Sequence, residues 1–565
     1  MSTPRNRLVI IAISLWFAAF TIFSPFSLAE TKFFPVEKVR PGMKGTGYSV
    51  FSGTKVEAFD VQIISVVEDN SGKDQLILVK LSGDRIQESG GLAAGMSGSP
   101  VYLKRKLLGA ISYGFENADS FLALVTPIQS MEKLWSGSSE AIAAFRLPFR
   151  PVPVITPVFV TGMGTRGFEL ISKTVGGSGV KPVALPGPTA AIVSRRKVDP
   201  LRPGSAIAVQ MVTGDYQVAA IGTMTWIDQD RFLAFGHSFT NKGKVDYLAL
   251  QAYIAHTVKS PVMSFKIGIP IQPVGRVVQD RQAGIAGRLK ETPKLIPVAV
   301  RATDADRGII RNTHFQVVNN EQLYRDLIVA GVTDAIDQTI DRVGSGSAKI
   351  RVKIETGTPS EPIVRENRFC GKDIAIACAA DLRNLLEILS VNEYTRADVR
   401  LVQVEAEIRE KQETARIVKL ESAKKKFKPG ESVSISALVH TFRGESMRIP
   451  LEIELSKHIQ PGKLSLTAYG GSKEGSLEEN TTAKKEVFKI DYKDADSLSE
   501  LLENYLNTPV NNQIVLEYQS ALDNSKTGGD AEDSEERVLQ PVRLKSETPY
   551  YIFGEAQLTI EITSV

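Results

Sequence analysis

The sequence predicts a mainly β protein of several domains: two strand-rich regions, then an α/β segment, then a C-terminal β-sandwich. Three observations predict it. The chain has 565 residues, more than one hydrophobic core usually serves. Short apolar or alternating runs bounded by turn residues fill 30–296 and return over 414–565. Only between about 297 and 413 do apolar residues recur mainly at helical spacing.

The N-terminus comes first. Arg5 and Arg7 precede an apolar run from Leu8 to Phe23, and Ser27-Leu28-Ala29 supplies small residues where a signal peptidase reads. The run is shorter than the roughly 20 residues a membrane-spanning helix needs. Residues 1–29 are therefore expected to be a cleaved signal peptide rather than a retained anchor. No later stretch is apolar enough to span a bilayer, so no stable membrane span is expected after cleavage. The mature chain is expected to be exported, periplasmic or extracellular.

Lys plus Arg total 68 and Asp plus Glu 64, a near balance that carries no nucleic-acid footprint. The two cysteines, Cys370 and Cys378, lie close together in a chain read as exported. A disulfide closing a small loop is expected, with two buried free thiols as the alternative. With no histidine beside them they make no zinc site. No metal and no cofactor is expected.

Over 30–147, Phe59, Val61 and Ile63 alternate with Asp60 and Gln62, which reads as a half-buried strand. Leu76–Leu81 reads as a strand buried on both faces. Val101-Tyr102-Leu103 and Leu107–Ser112 read as a hairpin across 104–106, and Ile128, Met131, Leu134 and Trp135 share one helical face. Over 148–296, Gly176–Gly204 reads as a long loop or a pair of extended arms. Ile207–Val212, Gln217–Trp226 and Arg231–Phe235 follow as strands. Over 297–413, Leu323, Leu327, Ile336 and Ile340 mark one helix and Leu382, Leu385, Leu386 and Leu389 another. Over 414–565 strands dominate, with a capping box at Ser497–Glu500 opening one helix and a solvated acidic loop at 522–537.

Two blocks carry the chemistry. In Gly90-Gly91-Leu92-Ala93-Ala94-Gly95-Met96-Ser97-Gly98-Ser99-Pro100, glycines crowd around one serine. A nucleophilic serine needs a tight turn that exposes its hydroxyl and main-chain N–H groups aimed at the developing oxyanion. Gly95 and Gly98 permit such a turn, with the N–H groups of Gly95 and Ser97 as the oxyanion hole. A plain Gly/Ser turn between strands is the alternative. The second block, Phe235-Gly236-His237-Ser238-Phe239, puts one of five histidines directly after an apolar strand. That setting suits a base aimed into a cleft, or a hydrogen-bonded structural histidine.

Gly-Met-Ser-Gly-Ser-Pro resembles the nucleophile loop of chymotrypsin-like peptidases. Gly90–Pro100 with Val101-Tyr102 and Leu108-Gly109-Ala110 resembles more specifically the stage IV sporulation protein B (SpoIVB) peptidase family. So do Gly222-Thr223-Met224-Thr225 with Phe232–His237, and the flanking runs Lys55–Val61 and Ala283–Leu289. The resemblance covers about 40–290. It implies two β-barrels of trypsin-like type, a nucleophile-bearing barrel over 30–147 and a histidine-bearing barrel over 148–296, with Ser97 as nucleophile and His237 as general base. The two halves stand in the reverse of the family's order, as a circular permutation would leave them. The family's aspartate aligns with Ser82, so Asp84, two residues on, is the nearest candidate for the catalytic acid. Asp246 and Asp74 are weaker ones, and a dyad whose imidazole is oriented by a main-chain carbonyl needs none. The PDZ-like module of the sporulation members is not seen. The expected activity is an exported serine endopeptidase acting on protein or peptide substrates. The alternative is a non-catalytic envelope protein that keeps the scaffold for binding. Oligomeric state is not legible.

Overall fold

The computed structural model describes residues 32–68, 75–115, 118–136, 151–154, 156–176, 180–185, 198–471, 495–521 and 539–564. The segment expected to be a signal peptide, Asp74 and the acidic stretch at 522–537 expected to be a loop lie outside the described residues. Strands dominate, as expected.

The first sheet closes into a barrel. Its strands are β1 (Lys44–Val50), β2 (Val56–Glu68), β3 (Gln75–Ser82), β4 (Pro100–Leu103), β5 (Lys106–Phe115) and β6 (Leu122–Pro127). They run β1-β2-β3-β6-β5-β4, and β4 returns to β1 through Thr46↔Tyr102 and Gly47↔Val101. Closure pairs every edge. Phe59, Val61 and Ile63 of β2 point inward with Val79, Leu81, Val101, Ile111 and Val125, as the alternation predicted. The predicted β4–β5 hairpin turns on two residues, Lys104 and Arg105, both at positive φ (49° and 65°). That backbone matches the twist of the strands it joins. Helices α1 (Asp84–Ser89) and α2 (Ile128–Glu132) flank the barrel. Strand β7 (Pro151–Pro153) pairs with β5.

The second sheet begins with β8 (Thr156–Thr161) and, after α3 (Thr165–Val175), β9 (Val180–Leu185). Strand β9 lies in the Gly/Pro-rich stretch read as loop or arms, and pairs in parallel with β8. Six strands then close a second barrel: β10 (Ala206–Gly214), β11 (Gln217–Asp228), β12 (Arg231–Ala234), β13 (Gly243–Val258), β14 (Phe265–Arg281) and β15 (Gly284–Leu289). Their order is β10-β11-β12-β15-β14-β13, returning to β10 through Ile207↔Gln251. Both barrels therefore close in one order: first, second, third, sixth, fifth, fourth.

The far end of β10 leaves the barrel. Val212–Gly214 pair with β17 (Ile309–Val318), which pairs with β16 (Leu295–Asp304). The sheet continues through β18 (Gly346–Thr356), β19 (Ile363–Gly371) and, after α4 (Tyr324–Ile340), α5 (Ile374–Cys378) and α6 (Ala380–Val391), β20 (Val399–Arg409). The two predicted helices are α4 and α6, and one apolar core runs beneath them and the second barrel.

Strands β21 (Thr414–Glu421), β22 (Lys426–Phe427), β23 (Ser432–Thr441), β24 (Ser446–Glu454), β25 (Gly462–Gly470), β26 (Gln513–Ala521), β27 (Leu539–Glu547), β28 (Tyr551–Phe553) and β29 (Glu555–Ile562) form two sheets that share one core, the expected sandwich. The Ser497 hydroxyl caps α7 (Leu498–Leu506) by accepting from the Glu500 N–H at 3.2 Å. This helix buries its apolar face in the α/β core, not in the sandwich. The Tyr505 hydroxyl donates to Asp381 at 2.8 Å, and Asp381 pairs with Arg365 at 3.0 Å. Among the described residues, no helix is long and apolar enough to cross a membrane.

The expected Cys370–Cys378 disulfide is not formed; both are free, buried thiols. Cys370 sits in β19 opposite Ser347, and Cys378 ends α5 with its side chain in the apolar core. Burial raises both thiol pKa values above the ordinary range.

Candidate active site

The loop from α1 to β4 carries Ser97. Its turns rest on glycine at positive φ: Gly90 (77°), Gly91 (103°), Gly95 (91°) and Gly98 (92°). The Met96 side chain anchors the loop in the first core. Its N–H donates to the Ala93 carbonyl at 2.9 Å, and its carbonyl accepts from Ser99 N–H at 2.9 Å. Among the described residues, the N–H groups of Gly95 and Ser97 have no hydrogen-bond acceptor.

The second barrel grips this loop directly. The Thr223 N–H donates to the Ser97 carbonyl at 2.8 Å, and the Thr223 hydroxyl to the Gly95 carbonyl at 3.0 Å. The Thr225 hydroxyl donates to the Gly98 carbonyl at 2.8 Å. A Cβ on Gly98 would stand 2.0 Å from the Thr223 oxygen and 2.5 Å from the Phe235 nitrogen, so only glycine fits.

His237 follows β12. Its loop joins the third and fourth strands of its barrel, as the Ser97 loop does in the first. Two consecutive left-handed residues, Phe235 (φ 69°) and Gly236 (φ 72°), turn the chain before it. A left-handed phenylalanine is costly and persists only where its surroundings fix it. Here the ring is buried against Gly222, where a Cβ would lie 2.4 Å from the ring. The Thr126 hydroxyl donates to the Gly236 carbonyl at 2.8 Å, tying this loop back to the first barrel.

The His237 ring lies beside Phe235 and Tyr113, each with its centroid 6.2 Å away. Its Nδ1 is 2.7 Å from the Ser238 carbonyl oxygen. A carbonyl only accepts, so the proton sits on Nδ1 and Nε2 keeps a free lone pair. Burial lowers the ring pKa to about 4, with the Ser238 and Val154 carbonyls opposing in smaller measure. Ser97 Oγ and His237 Nε2 are both buried, and neither hydrogen-bonds the other or any other described group; Gln129 Oε1, Trp135 Nε1 and Thr156 Oγ1 are the other such atoms among the described residues. Native interiors leave few such atoms open.

Asp84 does not join this group. Residues 84–89 form α1, and its first residue, Asp84, is exposed there at the positive end of the helix. The group facing the His237 Nδ1 is the main-chain carbonyl of Ser238. Asp246 pairs with Arg276 at 3.0 Å and accepts from the Lys294 N–H. The sequence reading missed Asp280, at the end of β14. Its buried carboxylate accepts from the N–H groups of Phe239 (2.7 Å), Thr240 (2.6 Å) and Asn241 (3.0 Å) and from the Thr240 hydroxyl (2.6 Å). It fixes the loop that leaves His237. An aspartate before a turn has no local mark to separate it from a surface carboxylate.

The chain is thus a two-barrel β protein whose serine and histidine loops occupy equivalent positions and meet at one seam. Residues 30–122 match the family model SpoIVB peptidase S55. The match bears out the family resemblance and supports a serine peptidase function; it includes Ser97 and ends before His237. No curated protein was found to match the chain.

Proposed function

We propose that the protein is an exported serine endopeptidase that cleaves protein or peptide substrates through an acyl-enzyme on Ser97. One observation carries the reading: a buried hydroxyl and a buried imidazole lone pair stand open on two loops bonded to the same strands. His237 Nε2 takes the hydroxyl proton as Ser97 Oγ attacks the scissile carbonyl. The tetrahedral oxygen accepts from the N–H groups of Gly95 and Ser97, and the imidazolium returns the proton to the leaving amine. Water then releases the acyl group by the same path in reverse order.

In this reading the imidazole is oriented by the Ser238 carbonyl, and Asp280 holds the loop. The serine half precedes the histidine half by circular permutation, which leaves the site intact because geometry defines it. Ser97 and His237 are 0 % and 1 % exposed, so the seam opens before substrate enters. The N-terminal signal supports action outside the cytoplasm. The test is hydrolysis of unfolded casein by the mature protein. Ser97→Ala and His237→Ala are expected to abolish it and Asp84→Ala to leave it unchanged. Hydrolysis that survives Ser97→Ala removes the assignment.

A further inference from the structure

We propose that Lys266 is a positioning residue for the nucleophile loop, its ammonium fixing the loop on both sides of Ser97. The proposal rests on the serine-peptidase reading of Ser97. Lys266 belongs to β14 of the second barrel, yet its side chain crosses the seam and is fully buried. Its stem runs beneath Gly95, where a Cβ would lie 3.4 Å from it. Its Nζ donates to the Ser49 hydroxyl at 2.7 Å and to the Gly95 carbonyl at 3.3 Å. The Ser99 hydroxyl donates to the same Ser49 oxygen at 3.0 Å. The ammonium therefore reaches Gly95 directly and Ser99 through Ser49, the residues two before and two after the nucleophile. Main-chain bonds complete the clamp: Lys266 N–H donates to the Ala94 carbonyl at 3.0 Å, and Ala94 N–H to the Ser264 carbonyl at 2.7 Å.

A buried cation without a carboxylate is an expensive way to hold a loop. Methionine would fill the same channel without that cost. The charge has a use in this place. Gly95 contributes one of the two open N–H groups, and a positive charge in a low-dielectric seam beside them stabilises an oxyanion. The Phe51 ring face, 5.7 Å from Nζ, is the other group that favours the cation. The titratable side chains on adjoining elements are Lys44 and Tyr48 of β1, Asp84, Arg85 and Glu88 of α1, Lys244, Asp246, Tyr247, Tyr253 and His256 of β13, and Lys259 after it. Tyr247 is buried, Tyr48, Asp246 and Tyr253 are half-buried and the rest exposed, and Lys266 pairs with none of them among the described residues. Burial alone lowers the Lys266 pKa to about 7, so the clamp holds its charge below about pH 7 and loses it above.

The test is the rate at which a fluorophosphonate probe labels the mature protein between about pH 5 and 9. Wild type is expected to label more slowly as pH rises through about 7. Lys266→Met is expected to keep or raise Tm, to label at least about tenfold more slowly at pH 6, and to lose the alkaline decline. Ser49→Ala, which keeps the Gly95 contact, is expected to label at an intermediate rate. A folded Lys266→Met with the wild-type rate and profile overturns the proposal and leaves the serine reading standing. A wild-type rate that does not fall above pH 7 overturns it without any variant. A wild type that never labels at Ser97 overturns both.

Discussion

Gly98 and Gly236, the chain neighbours of Ser97 and His237, converge on one atom, the carbonyl oxygen of Ile111. It accepts the Gly98 N–H at 2.7 Å and lies 3.2 Å from where a Cβ on Gly236 would stand. Two loops far apart in the chain are thereby held against a single strand of the first barrel. Neither glycine tolerates a side chain without pushing the loops apart.

Gly98→Ala tests that convergence. Its Cβ would meet the Thr223 oxygen at 2.0 Å, on a backbone at φ 92°. Overpacking and the disfavoured dihedral together are expected to cost about 3 kcal/mol or more. Calorimetry of the mature protein should show a lowered Tm, and casein hydrolysis should be lost. A variant as stable as wild type would show that the two barrels do not meet this closely.

His237 sets an acid limit. The ring must be neutral to accept a proton, and its pKa is lowered to about 4, so hydrolysis is expected to rise through pH 4 rather than 6.5. The stability sign follows from the same depression. The folded state resists protonation of His237, so stability is intact above about 6.5 and is lost as pH falls toward 4, by about 3 kcal/mol in all. Urea titrations of wild type and His237→Gln at pH 7 and pH 4 check it. The loss should shrink by that amount in the variant.

Asp280→Asn keeps the size of the side chain and removes the charge that gathers four hydrogen bonds from Phe239, Thr240 and Asn241. The amide nitrogen would face donors. A cost of about 2–4 kcal/mol is expected, with kcat reduced more than KM is raised because His237 loses its setting. Unchanged kcat in a folded variant would separate Asp280 from the site.

The cysteines give a chemical check. Cys370 and Cys378 are free and buried, so Ellman's reagent should find no reactive thiol in the native protein and two after unfolding without reductant. No thiol released on unfolding would restore the disulfide.

The two loops that meet at the seam were legible because each is marked locally. Glycines at Gly95 and Gly98 announce a backbone other residues avoid, and His237 follows an apolar strand. Strands such as β2 followed from alternation like Phe59-Asp60-Val61, and the two barrels from the family resemblance. Asp280 and Lys266 were not legible, since each acts across a seam that no local pattern describes. Asp84 was misread because nearness in the chain stood in for nearness in space; α1 carries it to the surface. The Cys370–Cys378 disulfide was expected from closeness in sequence and an exported chain, and both thiols are instead free and buried. Helix α7 was read correctly from its cap, but its docking on Asp381 depends on a tertiary contact invisible in the segment itself.

Mass spectrometry of the fluorophosphonate-treated protein locates the nucleophile. One adduct is expected, on the peptide containing Ser97, formed by wild type and absent from His237→Ala. An adduct on any other serine, or one on Ser97 that forms equally well without His237, would contradict the roles given to Ser97 and His237.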